Sequence, residues 1–580
     1  MSPIPYRRLA GVIAVSFAFA IAGAGRDAAA ASAAPVAAEN GMVVTAQHLA
    51  TEVGVDVLKK GGNAVDAAVA VGYALAVVYP AAGNLGGGGF MTIQLADGRK
   101  TFLDFREKAP LAASAKMYLD AAGNVIKGST TTGHLAVGVP GSVSGLEMAL
   151  AKYGTMKRAD LIAPAIRYAE QGFVLDQGDA DMFATATEAF KVDPATTAIF
   201  LNQGRAFVAG DRLVQRDLAA TLKLISEAGA AGFYKGPVAP AIVASSQGGK
   251  GLLVQADLDQ YKTRELAPIE CDYRGFHIVS APPPSSGGVI ICEILNVLEG
   301  YPLKDWGFRS AAAVHVQIEA MRHAYVDRNS YLGDPDFVRN PLDRLLDKAY
   351  AAKVRAAIDP RRAAISQNLK PGVAPHEGSN TTHYSIVDGK GNAVSVTSTL
   401  NGWFGAQVTA AKTGVLLNNE MDDFTAKLGV PNSYGLMQGE VNAIAPGKRP
   451  LSSMSPTIVT KDGKPVMVVG TPGGSRIITA VLLTIINVID YGMNVQEAVD
   501  APRFHQQWLP NPTSVEPFAL SPDTRKILEG MGHVFAGSQP ANHLAAILVG
   551  APALGAKPVA GKRFYGANDP RRNTGLALGY

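Results

Sequence analysis

Cysteine is almost missing from this chain: Cys271 and Cys292 are the only two among 580 residues. Two thiols cannot make a disulfide framework or a four-ligand zinc site, which leaves one possible bridge or two separately buried thiols. Charge of one sign is equally scarce in runs. No block of five like charges occurs, and the net charge of +4 is spread over the chain, so a nucleic-acid or polybasic membrane surface has little support. Charged residues make up 18% and hydrophobic residues 47%, a globular and not a disordered composition. No internal repeat is evident. What the chain has in excess is glycine, 62 residues, which implies many tight turns and close backbone approaches.

The N-terminus reads as an export signal. Arg7 and Arg8 precede an apolar run from Leu9 to Gly23, followed by cleavage options such as Ala22-Gly23-Ala24 or Ala31-Ser32-Ala33. The run is shorter than the roughly 20 apolar residues of a transmembrane helix, so an uncleaved anchor is the weaker alternative. Leu9-Ala10-Gly11 fits a twin-arginine signal poorly. The alanine-rich leader is bacterial in style, and residues 1–33 are assigned to it.

Asn63 opens an alanine/valine run as the start of a buried helix. Gly86 to Gly89 lead into a hairpin, Phe90–Leu95 and Thr101–Arg106, turned at Asp97-Gly98. Amphipathic helices are expected near 142–153, 158–171, 215–229 and 311–332. Prolines 360, 371 and 375 with glycines 372 and 378 mark an irregular connector from Asp359 to Asn380. Strand-rich sequence follows: Thr382–Val387, Ala393–Leu400, Gly414–Leu417, Pro456–Val459 and Val466–Gly470, then helices Ser475–Ile489 and Pro522–Met531. The fold class is mixed α/β, with its densest sheet just after the connector.

Thr382–Val387 and Ala393–Thr399 flank Asp388-Gly389-Lys390-Gly391-Asn392 and read as an antiparallel hairpin. If Val387 pairs with Ala393, counting back six residues on each strand puts Thr381 opposite Thr399, with Cβ atoms about 5 Å apart. A one-residue slip would separate their faces. Taken alone, two opposed threonines more often stabilise a sheet than catalyse a reaction.

The larger pattern changes the balance. Thr381-Thr382-His383-Tyr384, Thr399-Leu400-Asn401, Leu417 to Phe424, Pro450-Leu451-Ser452-Ser453-Met454-Ser455-Pro456-Thr457 and Pro472-Gly473-Gly474-Ser475-Arg476 occur in that order. Upstream stand Gly86–Gly89 and Asp104-Phe105-Arg106-Glu107. This set, from about residue 40 to the C-terminus, resembles the γ-glutamyltransferase family of N-terminal-nucleophile hydrolases. The resemblance implies a four-layer αββα sandwich. It also implies self-cleavage between Asn380 and Thr381 into a large subunit, 34–380, and a small catalytic subunit, 381–580, which stay together as a heterodimer.

By the same resemblance Thr381 is the nucleophile, Thr399 orients it, and backbone N–H groups of Gly473 and Gly474 form the oxyanion hole. Arg106, helped by Ser452 and Ser453, would hold the α-carboxylate of a γ-glutamyl group, and Asp423, with Glu420 and Asn401, its ammonium. Tyr434 would gate the site from a loop spanning Leu428 to Gly439. The implied donors are glutathione and other γ-glutamyl compounds, the acceptors water, amino acids or peptides; the leader, for its part, leads to the expectation of a periplasmic location. No cofactor is implied and no catalytic metal; no nucleic-acid partner and no membrane anchor after signal removal is expected. A cephalosporin acylase of the same superfamily is the nearest rival, and a secreted binding protein that never matures is a second.

Two features invite other readings. Gly86–Gly89 lacks a following Gly-Lys-Ser/Thr, so a packing turn near the active site is preferred to a phosphate loop. His315, Glu319 and His323 recur at i, i+4 and i+8; a polar face or hydrogen-bonded interior cluster is preferred to a metal site.

Overall fold

The computed structural model describes residues 32–369, 381–539 and 542–580. Nearly all of the expected leader, and Pro371, Gly372, Pro375, Gly378 and Asn380, lie outside the described residues.

Two seven-stranded sheets form the centre, and every strand pairing within them is antiparallel. The first runs Leu576–Gly579, Met42–Thr45, Thr382–Val387, Ala393–Thr399, Gly88–Gln94, Lys100–Asp104, Arg264–Leu266. The second runs Val36–Ala38, Phe564–Asn568, Ala545–Val549, Lys464–Gly470, Thr457–Lys461, Phe276–Ser280, Ile269–Tyr273. Both sheets contain strands from before and from after residue 380, so the two parts of the chain share one core.

The period-2 alternation of the hairpin sorts its side chains between two cores. Tyr384, Ile386, Val394 and Val396 join the core under helices His48–Lys59, Ala64–Val78 and Arg216–Ala228. Val387 and Ala393 point the other way, into the inter-sheet layer with Val468 and Ile547. Beyond the second sheet, helices Gly287–Leu298, Ala311–Tyr331 and Arg476–Ile489 enclose a further core. The layers are therefore helix, sheet, sheet, helix, as expected.

Polar groups also face the inter-sheet layer, and those of the hairpin find partners there, as burial requires. Ser385 Oγ donates to the Ala545 carbonyl at 3.0 Å, and His383 Nδ1 meets Thr397 Oγ1 at 2.8 Å. Burial pushes the His383 pKa down to about 3, so its imidazole is neutral.

Local chemistry fixes the hairpin register. Asp388 Oδ1 accepts from the N–H groups of Lys390 and Asn392 at 2.9 and 3.0 Å, which folds the loop back on itself. Its Oδ2 accepts from the Ala64 N–H at 2.9 Å, tying the loop to the start of the Ala64–Val78 helix. Asn63 caps that helix in a capping box with Asp66, an arrangement worth about 0.5–2 kcal/mol.

Two sequence boundaries move for physical reasons. The strand expected from Phe90 begins at Gly88, because Gly88 and Gly89 pair with Thr399 and Ser398. The strand expected to reach Arg106 ends at Asp104, whose Oδ1 accepts from the Arg106 N–H at 3.0 Å and turns the chain out of the ladder. Cys271 and Cys292 form a disulfide between the edge strand Ile269–Tyr273 and the helix Gly287–Leu298, which settles the alternative left open above.

Candidate active site

The register observed is the one counted from the sequence: Val387 faces Ala393 and Thr382 faces Ser398. One step further, the Thr381 and Thr399 hydroxyl oxygens lie 3.4 Å apart. Thr399 Oγ1 accepts from the Asn401 N–H at 2.8 Å. Asn401 has φ 70, a left-handed turn that asparagine tolerates better than most residues. The Asn84 amide donates to the Thr399 carbonyl at 2.9 Å. A Cβ on Gly87 would lie 2.1 Å from that same oxygen, so only glycine fits there. The glycine run is the packing turn expected of it.

Thr381 and Thr399 line a cavity of about 20 Å³ together with Arg106, Asn401, Glu420 and Asp423. Ser452, Ser453, Tyr434 and Gly474 complete the set of expected residues at its wall. Gly473 is not at the wall, and Asn380 lies outside the described residues. Both glycines precede the helix Arg476–Ile489, and their carbonyls accept from the Arg476 and Ile477 N–H groups at 3.1 Å each; the helix dipole favours negative charge at this end. The Tyr434 ring packs against Gly474. A Cβ on Gly474 would sit 2.2 Å from the Tyr434 ring, and the Tyr434 hydroxyl donates to the Asn401 carbonyl at 2.9 Å.

The charged groups close on one another. Arg106 donates from its two terminal nitrogens to Glu420 and Asp423, and from Nε to the Pro450 carbonyl at 3.3 Å. Burial pushes the Glu420 carboxyl well up, against the pull of Arg106. Burial likewise pushes Glu107 up to about 7, opposed by Arg106.

Sequence reasoning missed two members of this pocket's surroundings, Glu107 as a buried acid and Arg328 as a second guanidinium at the wall. Arg328 sits on Ala311–Tyr331, where buried His315, Glu319 and Arg322 also lie. Charge around the whole circumference of one long helix was the available signal, since a surface helix keeps one face apolar. His533, from beyond the Pro522–Gly530 helix, and not His323, joins His315 and Glu319 of this helix. His315 Nδ1 is 2.7 Å from His533 Nε2, and its Nε2 is 2.8 Å from the Asp359 carbonyl, a hydrogen-bonded interior cluster.

The γ-glutamyltranspeptidase family model matches residues 50–579. This chain belongs to that family. It is 75% identical over 552 residues to a glutathione hydrolase proenzyme of Pseudomonas sp. (strain A14), covering 95% of this chain and 96% of the relative. The Escherichia coli (strain K12) glutathione hydrolase proenzyme is 50% identical over 548 residues, 94% and 93% of the two chains. Among solved structures, a cephalosporin acylase from Bacillus halodurans superposes with a TM-score of 0.81 at 28% identity, covering 94% of this chain and 97% of that one. The family match therefore spans the whole candidate site and every strand of the two sheets except Val36–Ala38 and Met42–Thr45. Among the described residues, no helix is long and apolar enough to cross a membrane.

Proposed function

We propose that this chain is the precursor of a γ-glutamyltransferase and glutathione hydrolase whose nucleophile is Thr381. The observation that carries the reading is the pair of hydroxyls, Thr381 and Thr399, 3.4 Å apart at the wall of a pocket lined by both guanidinium and carboxylate groups. In maturation, Thr381 Oγ attacks the Asn380 carbonyl carbon and the peptide C–N bond breaks, leaving an ester and the free Thr381 amine. Water then hydrolyses the ester, releasing the Asn380 carboxylate and restoring the hydroxyl. Large and small subunits, 34–380 and 381–580, stay together because both contribute hydrogen-bonded strands to each sheet.

An α-amine has an unperturbed pKa of about 7.7–8.0, suited to taking the Thr381 hydroxyl proton as that oxygen attacks a γ-glutamyl carbonyl. The proton passes to the leaving amine, cysteinylglycine when glutathione is the donor. Water or an amino acid or peptide amine then takes the acyl group from Thr381. Gly473 and Gly474 N–H groups stabilise the oxyanion at the helix N-terminus.

A γ-glutamyl group carries one carboxylate and one ammonium, so it fits by exchanging partners. Arg106, with Ser452 and Ser453, takes the carboxylate in bidentate fashion; Asp423, Glu420 and Asn401 take the ammonium. A cavity of about 20 Å³ holds a single water, so Tyr434 must swing away for this group to enter. The leader and the Cys271–Cys292 disulfide both support export to the periplasm.

Similarity to a cephalosporin acylase supports a second reading, the same nucleophile with a different acyl group. A γ-glutamyl anilide assay beside a glutaryl-cephalosporin assay separates them. Release of the anilide with no acyl-cephalosporin turnover is the result expected, and the reverse pattern would replace the proposal with the acylase.

A further inference from the structure

Arg328 is a second guanidinium at the cavity wall, fully buried, and it is held quite differently from Arg106. Arg106 is neutralised by Glu420 and Asp423. Among the described residues Arg328 makes no ion pair, and its contacts are neutral oxygens. Nη2 donates to Ser453 Oγ at 2.9 Å, Nε to Ser286 Oγ at 2.9 Å, and Nη1 to Asn329 Oδ1 at 2.8 Å and Gln438 Oε1 at 3.4 Å. Burial lowers its pKa to about 10, which still leaves it charged at neutral pH.

A guanidinium donates hydrogen bonds and accepts none. Ser453 Oγ is therefore an acceptor towards Arg328, and its own proton is left for another partner. Ser453 lines the cavity, so that proton can be aimed inward. The second contact works at the neighbouring serine. Ser286 Oγ accepts from Arg328 and donates to the Ser452 carbonyl at 2.7 Å, where the Ser286 N–H also donates at 2.8 Å. One cation thus fixes the hydroxyl of Ser453 and, through Ser286, the backbone of Ser452.

We infer that Arg328 is the positioning residue of α-carboxylate recognition: it turns the Ser453 hydroxyl proton into the pocket and supplies a cation with no ion-pair partner among the described residues. The inference rests on the γ-glutamyl reading above and adds to it a residue outside the clamp itself. Arg106 must surrender a carboxylate partner when substrate enters, whereas Arg328 stays bound to both serine segments throughout. It acts on the carboxylate through Ser453 and through its field, and so on binding more than on the chemical step.

The test uses the processed enzyme and two substrates, a γ-glutamyl anilide and its α-carboxamide analogue, which keeps the ammonium and loses the negative charge. In Arg328→Gln, KM for the γ-glutamyl anilide rises roughly tenfold to a hundredfold, the scale of a hydrogen bond to a charged group, and kcat changes little. The preference for carboxylate over carboxamide collapses by a similar factor. Adding Ser453→Ala to Arg328→Gln costs little more, because the two act as one unit. Arg328→Lys restores part of the preference through charge alone. If Arg328→Gln fails to process, Arg328→Lys and Ser286→Ala carry the same comparison with smaller shifts in KM. Equal losses on both substrates, or fully additive effects of Arg328→Gln and Ser453→Ala, would overturn the inference. A wild-type enzyme with no γ-glutamyl anilide activity would instead overturn the functional reading, and this inference with it.

Discussion

Thr381 and Thr399 stand 18 residues apart on one hairpin, whereas Arg106, Arg328, Glu420 and Ser453 reach the same cavity from four separate segments. The hairpin end is set by backbone register, itself fixed by a five-residue loop with Asp388 at its start. The charged pocket is set by long-range docking of a strand end, a helix, a 3₁₀ turn at Glu420–Asp423 and the turn before Thr457. The difference teaches that the reacting hydroxyl and the group that recognises substrate can be disturbed separately.

The largest effect belongs to the nucleophile. Thr381→Ala removes both processing and turnover, so the chain runs intact on denaturing electrophoresis and releases no anilide. Arg106→Lys breaks the other region alone. Processing is retained, and kcat/KM for a γ-glutamyl anilide falls roughly a hundredfold, because an ammonium cannot reproduce the bidentate fork. Loss of processing in that variant would erase the separation between the two regions.

Smaller changes sharpen the comparison. Tyr434→Phe deletes the hydroxyl that bonds Asn401 and shifts KM by about two- to tenfold, the range of one neutral hydrogen bond, with processing unchanged. On the hairpin side, Asp388→Ala leaves the N–H groups of Ala64, Lys390 and Asn392 without their acceptor. It lowers stability by about 1–3 kcal/mol, read by urea unfolding, and spares KM.

The last effect is a pH dependence. Burial raises the Glu107 pKa from near 4.5 to about 7 in the folded protein. A raised folded pKa gives stability that is fully present below the unfolded value and is lost as pH rises through the folded one. The melting temperature therefore declines between about pH 4.5 and 7, and Glu107→Gln flattens that decline. An unchanged slope in the variant would remove Glu107 from the pocket's charge balance.

The sequence made the hairpin legible because period, turn chemistry and loop length all act locally. Val387 facing Ala393 and Thr381 facing Thr399 followed from a count. Helices at Ser142–Tyr153 and Arg158–Gln171 were equally open to reading from their amphipathic pattern, each followed by a glycine, Gly154 and Gly172. The pocket was legible only through resemblance, since nothing local announces that Arg106 will meet Asp423. Arg328 stayed hidden because a charged helical residue normally reads as solvated surface. His533 stayed hidden because it meets His315 across 218 residues. The disulfide was undecided because two cysteines 21 residues apart specify no geometry until a strand and a helix pack together.

Self-cleavage at Thr381 is the central claim, and N-terminal sequencing of the purified protein after denaturing electrophoresis tests it most directly. A smaller fragment beginning Thr381-Thr382-His383-Tyr384, absent from Thr381→Ala, is the result predicted. A single intact chain from the active wild type, or a fragment beginning at another residue, would contradict it.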